Sequence, residues 1–230
     1  MPRTPTTRPE RRYKDPYTKA VPLHINIDAP ALGKAKRCLI KLNSVFNLSV
    51  DPAKGAILNG GTIRDLYLNL FHTQKISPRD FDIMLPAQEV FARNIDIRSL
   101  NDIRERLNSI EEITDIASIS FEQRYRLWFL NTYFMILHFK YEGQAVDLKV
   151  SYTPSDLENA AVYGDAPLNS VAMDASGKIF AHPDFEKHAQ EGLYSCRTLG
   201  SKAKRKAYRR YQRFIQKPGC ETFNFECAKS

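Results

Sequence analysis

Residues 57–85, "ILNGGTIRDLYLNLFHTQKISPRDFDIML", decide how this chain of 230 residues folds. The apolar run "AIL" at 56–58 stops just short of Gly60-Gly61, which reads as a short buried strand ending in a turn. Ile63, Tyr67, Leu70 and Phe71 then recur at helical spacing. The stretch "RDFDIML" alternates, placing Asp80 and Asp82 on one face of a strand and Phe81 and Ile83 on the other. A helix start preceded by bare glycine backbone offers N–H groups and a positive dipole end to a phosphate. Arg64, on the first turn, can add a bidentate contact. Two carboxylates on one strand face, joined by a third from a neighbouring strand, can hold Mg²⁺ ions. The natural third is Asp147, which alternates with Val146 and Leu148 in "QAVDLKVSY". It reads equally as a solvent-facing strand residue.

The two halves of the motif carry unequal weight. At ordinary composition Asp-x-Asp arises about once per chain of this length, whereas Gly-Gly-x-x-Arg-Asp arises in roughly four chains per thousand. The glycine half is therefore the informative one, and the order strand, glycine turn, helix, carboxylate strand constrains it further.

Outward from this unit, Leu32, Ala35, Leu39, Leu42 and Phe46 mark an amphipathic helix, and Leu100, Ile103, Leu107 and Ile110 a second. "EITDIASIS", "TYFMILHFKY" and "QAVDLKVSY" read as strands, the last two joined by a hairpin at Glu142-Gly143. "DLENAAVYG" reads as a short helix, and "NSVAMDASGKIF" as two strands around 174–177. Ala203, Ala207, Tyr211, Phe214 and Ile215 put a narrow apolar stripe on a strongly basic helix. Trp128 and the aromatics of "YRLWFLNTYFMILHF" read as core. The expected organisation is a mobile basic arm over 1–28, an α+β domain over 29–195 and a basic helical extension over 196–230.

Composition narrows the class. Hydrophobic residues make up 43% and charged residues 26%, ordinary for a globular protein with one substantial core. No apolar run is long enough to span a bilayer, and the N-terminus lacks a signal-peptide core. The expectation is a cytoplasmic protein with no membrane partner. Cys38, Cys196, Cys220 and Cys227 have neither zinc-ligand nor disulfide-framework spacing, so free thiols are expected. His72, His138, His182 and His188 form no ligand spacing and read as ordinary polar residues.

The net charge of +8 is unevenly spread. Residues 1–19 hold six Lys/Arg and two acids, and residues 197–217 hold nine Lys/Arg and no acid. Removing these from totals of 34 basic and 26 acidic residues leaves 19 against 24, an acidic remainder. Basic ends on an acidic body suit a polyanionic partner gripped at the periphery. Lys204, Arg205, Arg209, Arg210 and Arg213 can line a phosphate groove, with Tyr208 and Tyr211 available for base stacking. Alternatively they form a solvated face that complements the acidic body.

"GGTIRD" followed by "RDFDIML" resembles the head domain of the class II CCA-adding enzymes and bacterial poly(A) polymerases, in the polymerase-β nucleotidyltransferase superfamily. A second match lies downstream in "YGDAPLNSVAMDASGKIF", where Asp165 and Asn169 fall on the family's Asp and Asn ahead of a β-hairpin. The resemblance covers about residues 55–195 and, more loosely, the basic helix. It implies an α+β head with a mixed or antiparallel sheet, flanking helices and a short C-terminal helical extension. It also implies NMP transfer from an NTP, ATP or CTP, with Mg²⁺ or Mn²⁺ held by Asp80, Asp82 and Asp147. Gly60, Gly61, Arg64, Asp65, Asp165 and Asn169 would then form the nucleotide site. Three departures stand out: Tyr163-Gly164 replaces the family's paired arginines, no Glu-Asp-x-x-Arg motif is present, and the chain is expected to lack the tRNA-holding body and tail.

Three functions therefore compete. The first is transfer to an RNA 3′ end, tRNA-like in kind. The second keeps the chemistry and changes the acceptor to a protein or small molecule. The third is a non-catalytic nucleic-acid binder, which three uncompensated carboxylates near a polyanion argue against. Oligomeric state is not encoded legibly.

Overall fold

A computed structural model describes residues 18–25, 27, 29–48, 51, 54–86, 97–117, 133–151, 156–162, 164–196 and 201–227; the side chains of 97–100, 133–135, 151 and 201–203 are not described. Trp128 and Tyr163 lie outside the described residues, as does the end of the expected strand over 112–120.

One sheet of eight strands organises the chain. Its strands are β1 (Val21–Pro22), β2 (Ile57–Asn59), β3 (Asp80–Pro86), β4 (Ile113–Thr114), β5 (Tyr133–Tyr141), β6 (Gln144–Ser151), β7 (Val171–Met173) and β8 (Ile179–Ala181). Their spatial order is β1-β8-β7-β2-β3-β6-β5-β4. Every pairing is antiparallel except β3 with β6, which run parallel at the centre. The α+β class, with a mostly antiparallel sheet flanked by helices, is as expected.

The strand alternation sorts the two faces. Leu58, Ile83, Leu148 and Leu137 are register partners on one face, and all four are buried. Packed in that same core are Ala35, Cys38, Leu39 and Leu42 of α1 (Pro30–Val45), Ile63 and Tyr67 of α2 (Gly61–Leu68), and Ile103 and Leu107 of α3 (Ile97–Asn108). Burial at about 25 cal/mol per Å² of apolar surface makes this the main source of stability. The opposite face is covered in part by α4 (Leu157–Ala161), whose Leu157, Ala160 and Ala161 pack on Ile57, Met84 and Ala172. The same face carries the carboxylates Asp82 and Asp147.

Two features depart from the sequence expectation. Val21 and Pro22, inside the expected arm, pair with Ala181 and Phe180, and Leu23 is buried. The alternating polarity that marks internal strands is missing from so short an edge pairing. Residues past the basic helix form β10 (Asn224–Cys227), which pairs in parallel with β9 (Leu193–Cys196). The basic helix itself, α6 (Ser201–Phe214), follows β9, while α5 (Phe185–Gln190) precedes it. Cys38, Cys196, Cys220 and Cys227 are free thiols, with Cys196 and Cys227 register partners on β9 and β10.

Candidate functional site

A single row crosses six strands in register: Phe180, Ala172, Asn59, Asp82, Asp147 and His138. Because register partners point to the same side, Asp82 and Asp147 stand side by side on the central parallel pair. Asp80 is two residues before Asp82 and shares its face. Burial first, then the charges of Asp82 and Asp147, raise the Asp80 carboxyl above its ordinary value. That crowding is what three like charges beside one another produce.

The carboxylates are not gathered into a finished metal cluster. Among the described residues no group of three or more His, Cys, Asp or Glu side chains is assembled to hold a metal ion. The three share one face of the sheet, and two of them are engaged by neighbouring side chains. Asp82 is turned onto the ammonium of Lys149, and Asp147 onto His138 Nδ1 at 2.7 Å. Beside them, the Asn59 Oδ1 atom is buried with no hydrogen-bond partner.

The glycine turn adjoins this row. Gly60 takes φ 55°, and a Cβ there would stand 3.2 Å from the Asn169 carbonyl oxygen, so both conformation and space demand glycine. Its N–H donates to the Val171 carbonyl at 2.8 Å, which ties the turn to β7. The Thr62 hydroxyl donates to the Asp80 carbonyl at 2.8 Å and fixes the start of α2 against β3. The first turn of α2 therefore lies against the carboxylate strand.

Arg64, Asp65, Asp165 and Asn169 come together, but as an internal network. Arg64 is 8% exposed, donates from Nε and Nη2 to Asp65 Oδ1 at 2.9 and 2.7 Å, and reaches Asn169 Oδ1 through Nη1. Its guanidinium lies 4.8 Å from the centroid of the Phe214 ring on α6. Burial alone would lower its pKa; the carboxylate of Asp65 offsets this and leaves it raised. Asp65 also accepts from Lys217, and Asp165 accepts from Arg210 Nη1 at 2.6 Å. Asn169 Nδ2 donates to Asp165 Oδ1 at 3.0 Å and to the Tyr194 hydroxyl at 2.6 Å. The Nε, Nη1 and Nη2 groups of Arg64 thus donate within the protein. Its surroundings seat α6 on the domain.

The other cations of the basic helix divide. Arg210 belongs to the network, Lys204 is half-buried, and Arg205, Arg209 and Arg213 are exposed. Of the residues that sequence reasoning missed, Lys149 and His138 both had a signal. Strand alternation from Asp147 puts Lys149 on its face, and a hairpin closed at Glu142-Gly143 pairs position 138 with 147. Asn59 had only its place before the glycines.

At the level of fold, the chain is similar to a number of solved structures, two among them as follows. One is a CCA-adding enzyme in complex with CTP: TM-score 0.50 and 16% identity, covering 88% of this chain and 41% of that one. The other is a tRNA-processing enzyme in an apo form: TM-score 0.50 and 12% identity, covering 91% and 46%. The chain thus spans less than half the length of either. No protein-family model matches it, and no curated protein does. No helix among the described residues is long and apolar enough to cross a membrane.

Proposed function

We propose that this chain is a nucleotidyltransferase that moves a nucleoside monophosphate from an NTP onto a hydroxyl, with the 3′ end of an RNA as the favoured acceptor. The observation that carries the reading is the register of Asp82 with Asp147, with Asp80 on the same face, directly beside the glycine turn. Two structures of similar fold support it in kind, one a CCA-adding enzyme with CTP and the other a tRNA-processing enzyme.

A divalent ion fits this face. Three carboxylates and the unpartnered Asn59 carbonyl oxygen are hard oxygen donors, suited to Mg²⁺ or Mn²⁺, and the crowding that raises Asp80 is relieved by a cation. When bound there, such an ion supplies a lowered pKa for the attacking hydroxyl and charge neutralisation for the departing pyrophosphate. The remaining work falls to the chain itself. The first N–H groups of α2 hold a phosphate, at a turn kept clear by Gly61. Thr62 holds that helix end against the carboxylate strand. The network around Arg64 seats α6, whose exposed Arg205, Arg209 and Arg213 take the acceptor's backbone by charge.

Incubating the protein with each labelled NTP, Mg²⁺ and total RNA or lysate tests the reading. Label should enter RNA, and Asp82→Asn should lose the transfer while remaining folded. Label in a protein or small molecule would keep the chemistry and change the acceptor. Nucleic-acid binding with no transfer to any acceptor would replace the enzyme by a binding module.

A further inference from the structure

Lys149 is the cation closest in role to the proposed metal. It lies on β6 two residues beyond Asp147, on the same sheet face, between its register partners Met84 and Ile136. Its ammonium pairs with Asp82 Oδ1, and the pair is only partly open to solvent, with side chains 18% and 34% exposed. A surface pair of this kind would contribute little. This one sits beside two further carboxylates, where removing the ammonium leaves Asp82 without its ion-pair partner among like charges.

We propose that Lys149 is a built-in counter-cation that holds Asp82 while the site is free of metal and is displaced when a divalent ion binds. The inference rests on the carboxylate face being a metal site. His138 Nδ1 stands 2.7 Å from Asp147 Oδ1, and Lys149 is the cation that engages Asp82. A divalent ion must take Asp82 from Lys149, so the lysine sets the threshold of metal concentration at which the site fills. The released ammonium stays on the face where a nucleotide's phosphates would lie.

Lys149→Met keeps the length and apolar stem at this position, in register between Met84 and Ile136, while removing the charge. Mn²⁺ binding to wild type and variant, followed by electron paramagnetic resonance without nucleotide, should show the variant binding about ten-fold more tightly. Its metal-free melting temperature should fall, and Mg²⁺ should raise it by more than in wild type. Lys149→Gln, should the methionine variant fold poorly, must show the same direction. Equal or weaker Mn²⁺ binding in a folded variant overturns the inference and leaves the metal site standing. An absence of Mn²⁺ binding in both proteins overturns the metal site, and the inference with it. Weaker NTP binding with unchanged Mn²⁺ affinity also overturns it, since Lys149 would then be a phosphate ligand only.

Discussion

A Cβ built on Gly164 would stand 2.4 Å from Ser170 Oγ and 2.9 Å from the carbonyl carbon and oxygen of Asn169, so no larger side chain enters without moving backbone. Gly164→Ala should cost about 1–3 kcal/mol in urea unfolding, as overpacking does. Gly61 is the contrasting case, because a Cβ there meets only Arg64 Nη2 at 3.8 Å. Gly61→Val should keep the fold yet raise the KM for NTP by filling space a phosphate needs. Unchanged nucleotide affinity would remove the turn from the phosphate's path. Asp80 supplies a test of charge. Its carboxyl is raised by burial and by Asp82 and Asp147, so protonation favours the native state in acid, and that contribution is lost as pH climbs through the folded value. Metal-free Asp80→Asn should therefore melt above wild type at neutral pH. The gap should close below about pH 4, where the carboxyl is protonated in both states.

Between elements, α2 and α6 are joined through charge that no local pattern announces. The strand, turn, helix and carboxylate strand were legible because hydrophobic period and glycine position are local properties. The hairpin at Glu142-Gly143 was legible too, since both residues take positive φ, 46° and 77°, as a tight turn requires. The pairing of β9 with β10 was not, because β10 is exposed at Asn224 and Glu226 and its partner is distant in sequence. Nor was the inward turn of Arg64, since its partners Asn169 and Phe214 come from elements far along the chain. An arginine in the first turn of a helix beside a glycine loop looks the same in sequence whether it points out or in. The network yields a stability prediction at this scale. Asp65 is 2% exposed and neutralises both Arg64 and Lys217. Asp65→Ala leaves those cations without their carboxylate and should cost about 3–5 kcal/mol. Exposed Arg209→Ser should change stability by no more than about 0.5 kcal/mol. Denaturant unfolding followed by circular dichroism separates the two.

Across the whole molecule, the uneven charge resolves into two uses of one helix. Arg210 and, just beyond the helix, Lys217 face the domain and pair with Asp165 and Asp65, so part of the basic run complements the acidic body. Arg205, Arg209 and Arg213 recur every four residues, share one face of α6 and are exposed. Like charges at that spacing repel, so this stripe is a standing cost that a polyanion removes. Replacing all three with Ser, while leaving Arg210 and Lys217, should weaken RNA binding without loosening α6. The slope of log K against log salt should fall by roughly 0.7–0.9 for each phosphate no longer neutralised, about two units in all. Nucleotide affinity should be unchanged, because the glycine turn and carboxylate row contain none of the three. An unchanged salt slope with unchanged transfer would assign the stripe no part in gripping the acceptor. The helix would then serve only to brace the Arg64 network, and the acceptor would be sought among proteins and small molecules.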